Sequence, residues 1–223
     1  MGGAAVSVSQ KDLGAPLGLY LLLESAGEPE LIDREVPAGA EILELGCGTG
    51  RITHRLIELG RRVVAVDMDE EMLAHVHGAE TVCARIEELD LGRFFGGVLL
   101  MSNLVNTSDD ARRAALLRTC REHVAPNGVV LIERYDPESG TDPTPVERTF
   151  AGIVIRVSDI RREGQLLYET IEYDAGERGR WQIRLDGARI LSDDEALAAL
   201  GAAGLRLLRW VGPERRWLVA APL

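Results

Sequence analysis

Apolar and polar positions follow one rhythm up to about residue 135 and another after it. In the first part, short apolar runs at 42–45, 62–67, 81–84, 97–101 and 129–133 read as strands. Between them, 52–59, 70–77 and 109–124 carry helical spacing; Gly60 closes the first, Gly78 the second, and Pro126-Asn127-Gly128 the third. The 97–101 run is apolar throughout, as in a parallel strand covered on both faces. In 109–124, Ala111, Ala114, Ala115, Leu117 and Val124 segregate from Arg118 and Arg121. Strands alternating with helices predict a parallel sheet with right-handed crossovers.

Past residue 135 the alternation stops. Residues 135–145 are rich in Pro, Gly, Asp and Ser and read as a loop. Three β-like segments follow at 149–160, 166–173 and 181–190, separated by Glu163-Gly164 and Asp174-Ala175-Gly176, and predict antiparallel hairpins. Ser192-Asp193-Asp194-Glu195 has the pattern of a capping box opening a helix that runs to Ala203. Strands at 205–210 and 217–221 end the chain, with a turn at Gly212-Pro213. At the other terminus, Leu13, Leu17, Tyr20, Leu21 and Glu24 predict a helix over 10–27, and 29–39, with two prolines, a connector with at most a short helix. The expected division is an N-terminal helical cap at 1–40, a core at 41–135 and 191–223, and an antiparallel β arm or lid at 136–190. The fold class is α/β: a doubly wound, mostly parallel seven-stranded sheet with that β insertion between the fifth strand and the last helix.

Composition narrows the partners. A formal net charge of −11 opposes a phosphate backbone, so no nucleic-acid partner is expected. The three cysteines, Cys47, Cys83 and Cys120, lack metal-ligand spacing and read as free, buried thiols in a reducing cytoplasm. No cysteine pair or HExxH is present, so no metal is expected. The first ten residues lack the features of a signal peptide, and no apolar run approaches the ~20 residues of a membrane span. Hairpin edges make a homodimer an expectation.

The chemistry concentrates in Glu41–Thr53, EILELGCGTGRIT. Gly46, Gly48 and Gly50 follow a strand at every second position, a helix starts at once, and a second strand ends in Asp67. Glycine permits the sharp turn and the close approach of a ligand to the backbone. A dehydrogenase loop places its third glycine one residue later and rests a pyrophosphate on the helix; here Glu44, two residues before the first glycine, would repel that group. A carboxylate there suits an amino group or a sulfonium, and Asp67 suits both hydroxyls of an unphosphorylated ribose.

EILELGCGTGR followed by VVAVDMDEEML resembles motifs I and II of the class I S-adenosylmethionine (SAM)-dependent methyltransferases, and the order of elements over about 40–135 is similar to theirs. The resemblance implies that Glu44, Gly46, Cys47, Gly48 and Gly50 line the methionine end of SAM. It implies that Asp67 takes the ribose hydroxyls and that Met68 covers the adenine, unless Met68 packs in the core. In Cys83-Ala84-Arg85-Ile86, Arg85 stands where the family usually has an acidic residue for the adenine amino group, leaving the backbone of Ile86 to serve. Met101 and Asn103, after the fourth strand, would flank the methionine part. Phe95-Gly96-Gly97 replaces the family's frequent Phe-Asp and reads as drift at the strand start.

The activity implied is methyl transfer to a small-molecule acceptor, such as a bacterial natural product, at N, O or C. Alternatives are SAM binding in a non-methyl-transfer or scaffold role, and an NAD-dependent oxidoreductase. Tyr20 is the first catalytic candidate, by likeness to N-terminal aromatics over active sites of the family; its other reading is a packed helix tyrosine. Glu133 is the second, as base or substrate anchor, and otherwise an ion pair with Arg134. His54 reads as surface, and His75, His77 and His123 as structural. Of Tyr168, Tyr173 and Trp181, most should be sheet packing.

Overall fold

The structure is a computed structural model that describes residues 6–9 and 16–223. In chain order its elements are β1 (Val6–Ser9), α1 (Leu17–Tyr20), α2 (Glu28–Glu35), β2 (Ile42–Leu45), α3 (Arg51–Glu58), β3 (Val63–Asp67), α4 (Glu70–Leu73), β4 (Glu80–Cys83), β5 (Phe95–Leu100), α5 (Asp110–His123) and β6 (Val124–Glu133). They continue with β7 (Val146–Phe150), β8 (Ile153–Glu163), β9 (Leu166–Asp174), β10 (Arg180–Arg189), α6 (Asp193–Ala202), β11 (Leu205–Val211) and β12 (Trp217–Pro222). The chain divides into two compact units: Ser25–Pro137 with Leu191–Leu223, and Met1–Glu24 with Glu138–Ile190.

The larger unit holds a seven-stranded sheet in the order β11-β12-β6-β5-β2-β3-β4. β2 pairs in parallel with β3 on one side and β5 on the other, and β12 runs antiparallel to β6. Alternate residues of each strand feed opposite faces, as the pleat requires. Leu43, Leu45, Val64, Val66, Val98 and Leu100 pack with Leu116, Leu117 and Cys120 of α5 and Leu200 of α6. Ile42, Val63, Leu99, Met101 and Leu131 pack on the other face with Ile32 of α2 and Ile52 and Leu56 of α3. Helices thus cover both faces, and the interior reads as continuous apolar runs.

Helix ends follow local chemistry. Asp109 caps α5 by accepting from the amides of Ala111 and Arg112. Ser192 and Glu195 complete the capping box of α6.

The smaller unit holds a five-stranded sheet, β1-β10-β9-β8-β7, with β1 parallel to β10 and the other pairs antiparallel. Leu19 of α1 packs there with Ile153, Ile155, Ala175 and Trp181. Trp181 is therefore core, and Tyr168 carries the Arg161 guanidinium 4.3 Å from its ring centroid.

Several elements differ from the reading of the pattern. The helix expected over 10–27 lies partly outside the described residues; within them, only Leu17–Tyr20 is α-helical. Gly27, expected to end that helix, instead adopts φ 97° as the N-cap of α2. The connector expected over 29–39, with at most a short helix, holds the eight-residue α2, which opens one residue earlier at Glu28 because Pro29 stands in its first turn, where no amide donor is needed. The N-terminal 1–40 is accordingly not one cap: the unit boundary falls between Glu24 and Ser25. The first arm strand is two, β7 and β8, joined by Ala151 and Gly152 at φ 48° and 74°. Both residues are left-handed, as a tight hairpin turn demands, but an alanine in an apolar run gives no turn signal. Cys83 is exposed, not buried like Cys47 and Cys120, because β4 is the sheet's edge strand.

Gly96 and Gly97 are more than drift. A Cβ on Gly97 would lie 2.8 and 2.9 Å from the Val36 methyls, so the pair lets the segment after α2 press against β5.

Candidate functional site

In the larger unit, the carboxyl ends of β2, β3, β4 and β5 lie along one edge, because these strands are parallel. The chain leaves β2 toward β3 on one side and returns to β5 on the other. Such a reversal of strand order opens a crevice at the carboxyl ends, where open α/β sheets bind ligands.

The glycine turn sits at that crevice. Gly46, Gly48 and Gly50 have φ of 78°, 56° and 87°, in the region where a side chain is strained. A Cβ on Gly46 would come within 3.0 Å of Leu104, and one on Gly50 within 2.8 Å of the His54 ring. The amides of Gly46 and Cys47 donate to the Val66 carbonyl at 2.8 and 2.9 Å, docking the turn onto β3.

Asp67 braces the same turn. Its Oδ2 accepts from the Gly48 amide at 2.8 Å and its Oδ1 from the Asp69 amide at 3.0 Å. Two bonds leave the carboxylate further lone pairs for a pair of hydroxyls.

Glu44 is buried beneath the turn, and Thr53 donates to its Oε2 at 2.5 Å. Burial pushes its pKa up to about 7, against the lowering effect of Thr53 and Arg51. Near neutrality the group is poised between neutral and charged, the state a cation would resolve in favour of the charge. Burial likewise pushes the Cys47 thiol up, so Cys47 is a packed residue of the turn and no nucleophile.

The remaining sequence candidates fall at different depths. Met68 follows Asp67 and is 41% exposed, open to a planar group rather than packed in the core. Arg85 is exposed, 3.8 Å from Glu87 and 3.7 Å from Glu88, and turns to its own segment. Ile86 is buried, with its carbonyl taken by Thr119 at 2.8 Å and its side chain facing Gly46. The Met101 side chain packs into the α2–α3 face, whereas Asn103 is half-buried in a left-handed turn with Ser102.

Glu133, at the end of β6, does not pair with Arg134. Its Oε2 accepts from the Ser102 amide at 2.9 Å, and its Oε1 from Arg216 at 3.2 Å. Burial raises its pKa above the usual carboxylate range, only partly opposed by Arg216. Arg134 points the other way, fully buried. It donates to the Leu191 carbonyl at 3.0 Å and to Asp193, and lies 4.2 Å from the Trp210 ring centroid.

Tyr20 lies at the end of α1 in the smaller unit, half-buried. His54 is less exposed than expected: it stacks on His77 at 5.8 Å, and its Nε2 accepts from the His77 amide. His123 bonds the Thr119 carbonyl and the Leu91 amide through its two ring nitrogens, a structural role. Among the described residues no His, Cys, Asp and Glu gather in a group able to hold a metal.

The sequence reading missed Thr53, Asn106 and Arg216. Asn106 is buried and accepts from the Tyr135 amide at 3.0 Å. These residues matter through partners 9 to 83 positions away, which no local spacing signals.

Comparison with known proteins agrees with this geometry. Residues 42–128 match a family described as methyltransferase domain. The dTDP-3-amino-3,4,6-trideoxy-alpha-D-glucopyranose N,N-dimethyltransferase of Streptomyces venezuelae is 27% identical over 199 residues, covering 82% of this chain and 83% of its own. The solved sugar N-methyltransferase KedS8 from Streptoalloteichus sp ATCC 53650 superposes with a TM-score of 0.74 at 24% identity, covering 100% of this chain and 98% of its own. The SAM-bound amino pentose methyltransferase CalS10 from Micromonospora echinaspora gives 0.68 at 21% identity, covering 96% and 94%. At those identities the two structures are likenesses of fold.

Proposed function

The chain belongs to the class I SAM-dependent methyltransferases, and on that premise we propose that it methylates the amino group of a small amino sugar made in bacterial natural-product biosynthesis. One observation carries the acceptor class. The likeness to the S. venezuelae N,N-dimethyltransferase runs over 82% of the chain, far beyond the 42–128 methyltransferase domain.

When bound, SAM supplies a methyl group on a sulfonium, and the protein's contribution is alignment and the exclusion of water. The glycine turn fits such a ligand, since its left-handed residues leave room that a Cβ at Gly46 or Gly50 would fill. In the proposed arrangement Asp67 holds the ribose hydroxyls while bracing Gly48. Glu44 faces the methionine ammonium, Met68 lies against the adenine, and the Ile86 amide meets its edge. Asn103, beside the end of β5, flanks the methionine part. An amine acceptor brings its own lone pair, so it needs less activation than a hydroxyl. Its ammonium form must first lose a proton, which a carboxylate or a tyrosine can relay. Tyr20 is the proposed group for that step.

The test is a pair of matched sugars. Purified protein is incubated with SAM and either a nucleotide-linked 3-amino-deoxysugar or its 3-hydroxy counterpart. Mass gains of one and then two methyl groups are expected on the amine and none on the alcohol, with S-adenosylhomocysteine formed in step. Methylation of the alcohol, or SAM binding without transfer to any amino sugar, sinks the acceptor reading.

A further inference from the structure

Two bonds link the segment after β5 to the end of β6, and they run in opposite directions. Glu133, on β6, reaches out to accept from the backbone amide of Ser102 at 2.9 Å. Asn106, in the 3-10 turn Leu104–Asn106, reaches back to accept from the backbone amide of Tyr135 at 3.0 Å. Each segment holds the other's main chain with one side chain. Glu133 is 9% exposed and Asn106 1%, so neither bond competes freely with water.

Between these anchors the backbone is under strain. Ser102 and Asn103 have φ of 55° and 57°, consecutive left-handed residues with no glycine. Such conformations persist where the surroundings over-determine them, and they cluster where a ligand is gripped. The strained pair follows β5, next to β2 and its glycine turn in the sheet. Leu104, two residues past Ser102, is the side chain that a Cβ at Gly46 would strike. The clamped segment therefore forms part of the wall of the glycine turn.

We propose that Glu133 and Asn106 are positioning residues that together clamp the Ser102–Asn103 turn in the shape that lines the methionine end of the pocket. This rests on the SAM-site reading above and deepens it. Glu133 then acts through Ser102 rather than by taking a proton from the acceptor. Both of its oxygens have protein partners, Ser102 on one and Arg216 on the other, consistent with a group held for alignment. Asn106 carries the same role from the opposite segment.

The test uses the full chain with E133Q, E133A, N106A and the double alanine variant. SAM affinity is read by calorimetry and turnover with the amino-sugar acceptor. Glutamine keeps an oxygen for the Ser102 amide but cannot serve as a base at neutral pH. The clamp predicts that each alanine variant weakens SAM binding by about tenfold and lowers kcat by at least that much. E133Q should stay within about threefold of wild type in both and keep the acidic limb of the wild-type pH profile. The double variant should be little worse than the poorer single, since both side chains hold one turn. If E133Q is as slow as E133A, or loses the acidic limb, Glu133 is a base and the proposal falls. Alanine variants that bind SAM and turn over like wild type also overturn it, as does a double variant whose losses multiply. Should an alanine variant fail to fold, E133Q decides alone by the same limits. The binding arm needs no acceptor: a wild type that binds SAM but methylates no amine defeats the acceptor reading and leaves the clamp to the affinities.

Discussion

At the scale of single residues, the two carboxylates of the glycine turn do different work, and each predicts its own signature. Asp67 accepts from Gly48 and Asp69, so in the proposed arrangement it joins the ligand to the turn. Asp67→Ala should cost SAM binding on the order of 1.5–3 kcal/mol per lost charge-assisted bond, read by calorimetry; unchanged affinity would refute the ribose role. Glu44, facing the ligand's cation in the proposed arrangement, should make binding depend on pH. Its pKa, raised to about 7 by burial, means that burial favours the neutral acid. This contribution to the stability of the ligand-free protein is full below the unfolded carboxylate range and is lost as pH rises through about 7. A cation beside Glu44 favours the ionised form, so binding below that pKa must expel a proton. Affinity for SAM should therefore fall as pH drops, by up to about tenfold per unit. The ligand's own amino group titrates equally against Glu44→Gln, so the difference between wild type and variant isolates Glu44. Equal pH slopes, or enthalpies independent of buffer ionisation, would remove the proton from the binding step. Motif spacing singles out both carboxylates from the chain alone. It does not mark Thr53, which donates to Glu44, because nothing local couples a helix threonine to a strand nine residues before it.

Elements were legible where one periodicity ruled and a single residue closed them. β2, α3, β3, α5 and α6 fall within a residue or so of their apolar patterns, since each buries one continuous stripe and ends at a cap or glycine. The failures came where punctuation has two meanings. Gly27 serves as a start and Pro29 as a first-turn residue, so signals that read equally as a stop and a connector open α2. Gly96-Gly97, which reads as drift in the chain, is a packing requirement visible only once α2 is present. That supplies a prediction at this scale. Gly97→Ala would bring a Cβ to 2.8 Å from a Val36 methyl in a packed layer. The change should destabilise by about 1–3 kcal/mol, the usual cost of overpacking, seen as a lower urea midpoint with an unchanged slope. Truncating the partner as well, in Val36→Ala/Gly97→Ala, should recover part of that loss. A double variant no more stable than the sum of its singles would place the glycine requirement elsewhere.

At the scale of the molecule, among the described residues no buried apolar cluster draws on both units. Buried clusters of the larger unit draw only on Ser25–Pro137 and Leu191–Leu223, and the cluster around Trp181 only on the smaller one. The larger unit also closes its own seam. Arg134, fully buried, bonds Leu191 and Asp193 and stacks on Trp210, so the end of β6 holds the segment where the chain re-enters. An arginine sealed in this way costs several kcal/mol to leave unpaired, and here its charge meets a carboxylate, a carbonyl and an aromatic face. The residues proposed to hold the cofactor, Glu44, Gly46, Gly48, Gly50, Asp67 and Asn103, all belong to this unit, whereas Tyr20 belongs to the other. The separation predicts that a chain of residues 25–137 joined by a short flexible linker to 191–223 folds alone, because no buried apolar cluster among the described residues is cut. It should unfold cooperatively and bind SAM within about tenfold of the full chain, while losing methyl transfer to any amino sugar. Denaturation followed by calorimetry checks both halves. A truncated protein that fails to fold would show that the cores are not independent. One that turns over acceptor at the full rate would remove Tyr20 and the arm from the reaction.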